Sequence, residues 1–156
     1  MTSASTENIG VRRALQIDAE HISDFNIAMA LETEGKPLDS ETVRGGVRAV
    51  LSRNDLGFYV VAEHRYETVG QLLITYEWSD WRNAFFWWIQ SVYVAPEYRH
   101  QGVYKALHEY VSKAAGSQGD VCGIRLYVDK DNKIAQGVYA RLGMSETNYD
   151  MYEIEF

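Results

Sequence analysis

The chain has 156 residues, 46% hydrophobic and 24% charged, and its fifteen Lys and Arg against twenty-two Asp and Glu give a net charge of −7. That length suits a single domain over residues 1–156, and the composition excludes a disordered, collagen-like or disulfide-scaffolded chain. The acidic balance argues against general binding of nucleic acid or anionic membrane, because phosphate affinity comes from Lys and Arg, and it favours cations such as amines in any acidic cleft.

After a polar start at Met1–Gly10, Ile9–Leu15 reads as a first strand. Asp18 offers an N-cap, and Ile22, Phe25 and Met29 recur at helical spacing until Gly35. A second helix begins at Asp39 or Ser40, with Val43, Val47, Val50 and Leu51 on one face. The period then changes to that of strands. Phe58–Glu63, Val69–Trp78 and Ala84–Val94 are separated by polar turns and form an antiparallel meander that Pro96 stops. Val103, Ala106, Leu107, Tyr110, Val111 and Ala114 mark a third helix; Ile124–Val128 is a short strand. Ala135, Val138 and Leu142 mark a fourth helix ended by Gly143, and Tyr149–Phe156 reads as a last strand. The order β-α-α-β-β-β-α-β-α-β gives a mixed α+β fold, one mixed sheet covered by helices.

Cys122 is the only cysteine, so no internal disulfide can form and a reducing, cytoplasmic setting is expected. Beside a strand-like run it reads as core rather than nucleophile. The start has no apolar stretch of the signal-peptide type, and the longest apolar run, Ala84–Ile89, is far shorter than the ~20 residues of a membrane helix. His21, His64, His100 and His108 lack any HExxH or CxxC companion, so no metal site is expected. Phosphate-loop, dinucleotide and nucleophile-elbow motifs are also missing.

The stretch that carries chemistry is Val92-Tyr93-Val94-Ala95-Pro96-Glu97-Tyr98-Arg99-His100-Gln101-Gly102-Val103-Tyr104-Lys105. Here a strand ends at a proline and a polar loop enters a helix at a glycine. The first helical amides have no intrahelical acceptor and the helix dipole is positive there, so such a loop can cradle an anion. The stretch resembles motif A of the GCN5-related N-acetyltransferases. Val128-Asp129-Lys130-Asp131-Asn132, with Ala135, Val138-Tyr139 and Leu142-Gly143-Met144, is similar to the family's second cofactor-contacting segment. Met151-Tyr152-Glu153-Ile154 is similar to its last strand. Tyr104 stands where Gly or Ala is usual.

The resemblance implies acetyl-CoA as acyl donor. Val92, Tyr93 and Val94 match the strand that pairs with the pantetheine arm, and the Val94 amide would polarise the thioester carbonyl. Arg99, His100, Gln101, Gly102, Val103, Tyr104 and Lys105 match the pyrophosphate loop. Asn132 matches a residue that bonds the cofactor arm, and Tyr139 matches the tyrosine that contacts the cofactor and protonates the leaving thiolate. Thr75–Trp81 and Trp88–Val92 are similar to the diamine acetyltransferase branch, in which a Glu occupies the position of Gln90. Gln cannot act as a base. Glu77 and Asp80 are therefore the candidate catalytic carboxylates, with Glu32 and Glu34 behind them, unless ordered water takes the proton. Trp78, Trp81, Trp87 and Trp88 frame an amine by cation–π contact, fill the core or form a dimer surface.

The resulting expectation is direct transfer of an acetyl group to a primary amine, a small cationic one. The partners are a small-molecule amine and a second copy in a homodimer, with no nucleic acid and no membrane. Acetylation of a protein Lys or N-terminus, or a degenerate cofactor-binding domain without catalysis, are the rival readings.

Overall fold

The computed structural model describes residues 8–156; residues 1–7 of the polar start lie outside them. The chain divides into two compact units, Met1–Leu126 and Tyr127–Phe156. The first contains β1 (Ile9–Arg13), α1 (Ala19–Glu34), α2 (Ser40–Ser52), β2 (Gly57–His64), β3 (Glu67–Ser79), β4 (Ala84–Val94), α3 (Val103–Ser117) and β5 (Val121–Arg125). Its sheet runs β1-β2-β3-β4-β5, antiparallel except for the parallel pairing of β4 with β5. The expected meander is thus present.

Alternation along the strands sorts the side chains into two layers. Val60, Ala62, Leu72, Ile74, Trp87 and Ile89 share one core with Val103, Leu107, Val111 and Ala115 of α3. Tyr59 and Val61 pack with Ile22 of α1 and Val47 of α2 in a second core. The first core settles one of the tryptophans: Trp87 is 3% exposed and fills space between sheet and helix. The β2–β3 hairpin turns through Arg65 and Tyr66 at φ 50° and 69°, the backbone that a two-residue turn needs to match strand twist.

Helix starts follow sequence chemistry with one exception. Asp39 caps α2 by accepting from the Thr42 amide at 2.9 Å. Asp18 occupies the cap position of α1 but makes no cap bond there. Its carboxylate instead accepts from the Leu15 amide at 2.7 Å and from both Arg12 terminal nitrogens at 2.8 and 2.9 Å. An aspartate beside a guanidinium gains more from the charge-assisted fork than from a first-turn amide.

Two other expectations are corrected. The fifth strand runs over Val121–Arg125 rather than Ile124–Val128, because the Phe85 amide already bonds the Asp120 carbonyl at 2.8 Å and starts the parallel ladder there. The register then passes from Phe85↔Val121 to Phe86↔Gly123, which leaves Cys122 out of the pairing. Cys122 is exposed, not core, and its thiol faces the Phe85 carbonyl at 3.3 Å.

The second unit contains α4 (Lys133–Arg141), capped by the Asn132 side chain, which accepts from the Ala135 amide at 3.1 Å. The Met144 amide closes its end on the Tyr139 carbonyl at 3.0 Å. Residues 149–156 form no strand. Their alternation is strand-like, but pattern without a ladder does not make a strand. Among the described residues no helix is long and apolar enough to cross a membrane, and no three His, Cys, Asp or Glu are placed to hold a metal.

Arg12 joins β1, β2 and the start of α1, since it also donates to Glu63 at 2.7 and 3.0 Å. Burial alone would raise the Asp18 carboxyl, but the Arg12 fork and the Leu15 amide outweigh it and hold the value below normal. A depressed folded value stabilises above the unfolded value near 3.9 and is lost as pH falls through the folded one. Arg12→Met should therefore cost about 2 kcal/mol at pH 7, below the figure for a fully buried pair because Arg12 is partly exposed. The cost should shrink steeply below pH ~4, where Asp18 is protonated in the unfolded chain. Urea unfolding at both pH values checks this.

Candidate active site

β4 outlasts its neighbour. β5 pairs with it only as far as Trp88↔Arg125, whereas β4 continues to Val94. The Ala95 amide bonds the Val69 carbonyl of the β3 side at 2.9 Å. Since amides alternate along a strand, the Val94 amide faces the opposite side, the one from which β5 has ended. That edge can pair with an extended ligand, and the Val94 amide is placed to donate to a carbonyl oxygen.

A bulge separates this segment from the rest of β4. Tyr93 lies opposite Gln71 and Gln90 opposite Leu73, so Ser91 and Val92 together oppose Leu72. Ser91 has φ 51°. The extra residue resets the alternation: Tyr93 joins Gln90 on the α1 side, while Val92 and Val94 pack against the α3 core.

Beyond Pro96–Tyr98, a single 3-10 turn, the loop turns through His100 at φ 62° and Gly102 at φ 79°. The first intrahelical bond of α3 runs from the Ala106 amide to the Gly102 carbonyl at 3.0 Å. The amides of Val103, Tyr104 and Lys105 therefore lie ahead of the first bond of the helical ladder, at the positive end of the helix dipole. The Tyr104 side chain does not fill that cradle. Its hydroxyl lies 3.4 Å from His108 Nδ1 one turn further along α3, with the ring against the core. Burial keeps His108 below its usual value and hence neutral near pH 7. Lys105 pairs with Glu109 at 3.8 Å, and Gln101 donates to the Glu97 carbonyl at 2.8 Å, which braces the loop.

Arg99 is committed within the protein. Its Nε donates to the Val94 carbonyl at 2.9 Å and an Nη to Glu32 at 2.7 Å. Glu32 also accepts from the Tyr93 hydroxyl at 3.0 Å. Hydrogen bonds from Arg99 first and Tyr93 second lower the Glu32 carboxyl, while burial and the Glu32 contact raise the Tyr93 phenol. Glu32 stands behind Glu77 and Asp80 as a candidate when only the sequence is read. Nothing local marks it, because its partners lie sixty-one and sixty-seven residues away.

The structure separates the other carboxylates from this end. Glu77 lies opposite Phe86, eight residues back along β4 from Val94, or roughly 25 Å at strand rise. It accepts from Trp88 Nε1 at 3.0 Å and from Arg125 at 2.9 Å. Asp80 sits in the β3–β4 turn and accepts from the Trp81 amide at 3.0 Å. Neither is within reach of a proton at the Val94 amide. Gln90 donates to Thr75 Oγ1 at 2.6 Å. Trp78 and Trp81 are exposed at the turn, and Trp88 lies on the sheet face opposite Trp87, so the four tryptophans form no single cage.

In the second unit, the Asn132 carbonyl oxygen is used as the α4 cap, and Tyr139 is half-buried on that helix. Burial raises its phenol above the ordinary value, so the hydroxyl keeps its proton at neutral pH.

Residues 20–144 match the model of the acetyltransferase (GNAT) family. A possible acetyltransferase from Clostridium difficile 630 is 43% identical, over 96% of this chain and 99% of that one, with a TM-score of 0.89. AAC(6')-Iy, solved with the bisubstrate analog CoA-S-monomethyl-acetylneamine, is 17% identical over 96% of this chain and 99% of that one, with a TM-score of 0.77. A predicted acetyltransferase from Clostridium acetobutylicum, solved with acetyl-CoA, is 18% identical over 94% and 96%, with a TM-score of 0.75. Among curated proteins no sequence matches significantly.

The cradle predicts the behaviour of Gly102. At φ 79° a β-branched residue is strained, so the loop would have to move to accept one. Gly102→Val should weaken acetyl-CoA binding at least ~10-fold, equivalent to about 1.4 kcal/mol. Calorimetric titration, with circular dichroism to verify the fold, reads this directly; unchanged affinity would remove the loop from the cofactor site.

Proposed function

We propose that this chain, which belongs to the acetyltransferase (GNAT) family and is an acetyltransferase, passes the acetyl group of acetyl-CoA directly to a small cationic primary amine. The observation that carries the cofactor half of this reading is the continuation of β4 past the end of β5, next to the unladdered amides of α3. Val92, Tyr93 and Val94 offer the arm a strand edge. Val103, Tyr104 and Lys105 offer amides to the pyrophosphate, with His100 and Gln101 shaping the loop. Arg99 holds that loop to α1 through Glu32, so its part is positioning as much as charge. The family match crosses both units, which supports treating residues 1–156 as one acetyltransferase domain.

Acetyl-CoA supplies an activated thioester. The amine nitrogen forms a bond to its carbonyl carbon, the C–S bond breaks, the nitrogen loses a proton and the sulfur gains one. The Val94 amide donates to the carbonyl oxygen as negative charge develops there. By the resemblance, Tyr139 donates the proton to sulfur, and Asn132, the cap residue of α4, bonds the arm. An alkylamine has a reference value near 10.4 and must be deprotonated before it attacks. Glu77 and Asp80 lie too far from Val94 to take that proton, so they serve as steering charges and water at the open edge receives it. Glu32, lowered by Arg99, stays anionic and adds to the attraction for a cation.

The similarity to diamine acetyltransferases and the −7 charge both favour a cationic acceptor. Turnover with a panel of diamines, neutral amines and acidic amines tests this. Salt should raise KM for the diamines more than for neutral amines, because screening weakens attraction. Preference for carboxylate-rich acceptors would contradict it.

Tyr139→Phe keeps the ring and removes the donor. General acid catalysis is worth about 10²–10⁴ in rate, so kcat should fall on that scale while KM for acetyl-CoA moves little. Because burial raises the phenol, the wild-type rate should fall only on the alkaline side of the ordinary tyrosine range, and the variant should lose that limb. A kcat within tenfold of wild type, with release shown by viscosity not to limit, removes the acid role.

A further inference from the structure

Gln71 is fully buried on β3, opposite Tyr93, at the point where the β3–β4 register breaks. Its amide nitrogen donates to Asn26 Oδ1 of α1 at 2.8 Å and to the Ser91 carbonyl of the bulge at 3.3 Å. Asn26 in turn donates to the buried Tyr59 hydroxyl of β2 at 3.3 Å. A carboxamide nitrogen has two protons, and here each meets one carbonyl oxygen, which fixes the orientation of the group. The consequence is that Gln71 Oε1 is buried with no partner.

We propose that Gln71 is a positioning residue for acetyl transfer: through its bond to the Ser91 carbonyl it holds the β4 bulge, and so aims the Val92–Val94 backbone at acetyl-CoA. Ser91 at φ 51° occupies a conformation that a serine does not prefer, and something must hold it there. The bulge decides which side of the sheet Tyr93 joins and how Val92 and Val94 pack on α3. Relaxation at Ser91 would shift the alternation of that whole segment, taking the Tyr93–Glu32–Arg99 link with it. A buried acceptor without a partner is an exception that needs a reason, and the two bonds from the donor side of Gln71 supply one. This inference rests on the acetyl-CoA reading of the β4 edge.

Gln71→Met preserves length and volume, removes both donors and also removes the orphan oxygen. We expect acetyl-CoA affinity to fall at least tenfold by calorimetry, with amide hydrogen exchange accelerating in peptides covering Gln90–Ala95 and a modest fall in melting temperature, because Asn26 Oδ1 and the Ser91 carbonyl lose a donor. Adding Ser91→Gly should restore most of the affinity, because glycine adopts a positive φ without an anchor. Loss of packing alone would not be rescued in that way. Asn26→Ala, which leaves Gln71 only its longer bond, should give a smaller loss in the same direction and keeps the question open to test if Gln71→Met fails to fold. Affinity within threefold of wild type in a folded Gln71→Met or Asn26→Ala protein, or no rescue by Ser91→Gly, overturns the proposal. The exchange measurement needs no ligand, so unaltered protection at Gln90–Ala95 would also overturn it. Failure of the wild-type chain to bind acetyl-CoA would instead strike at the cofactor reading.

Discussion

A parallel strand that stops short of its neighbour leaves backbone hydrogen-bonding capacity facing a space where no ladder continues. In this chain β5 leaves β4 after Trp88↔Arg125, and β4 runs on to Val94. Buried backbone groups must find partners, and an extended ligand carrying amides and a thioester carbonyl can supply them. The placement of α3 follows from the same strand. A chain leaving β4 at Val94 reaches Gly102 within eight residues, so the positive end of the helix lies next to the open edge. One short pairing thus sets an open strand edge beside the start of a helix.

The elements around that edge resist each other's movement. Arg99 ties the Val94 carbonyl to Glu32, and Tyr93 reaches the same carboxylate. On the inner side, Gln71 ties the bulge to Asn26. These bonds are made by charged or buried amide groups at a strained backbone position, where an apolar core would be simpler to satisfy. The Arg12 cluster is of another kind: it joins β1, β2 and the start of α1 and bears on stability.

Much of this was legible in the sequence, for physical reasons. Hydrophobic period marked the meander and α3, Asp39 marked the start of α2, and Gly102 marked the entry into α3. What was not legible depended on partners distant in sequence. Asp18 reads as a cap until Arg12 lies beside it. Cys122 reads as core until the β4–β5 register leaves it outside. Tyr149–Phe156 carries strand alternation without a ladder. Glu77 shows nothing in sequence of the Trp88 and Arg125 side chains that hold it. Ser91 gives no signal at all, since serine is not a residue that announces a positive φ.

The central claim is that the backbone of β4 beyond the bulge receives the thioester while the start of α3 receives the pyrophosphate. A crystal structure of the chain with acetyl-CoA tests it most directly. The account predicts the thioester oxygen about 2.7–3.2 Å from the Val94 nitrogen, with pyrophosphate oxygens at similar distance from the amides of Val103 to Lys105. A cofactor bound away from the β4 edge, or a thioester oxygen bonded to groups other than the backbone of Val92–Val94, would contradict it.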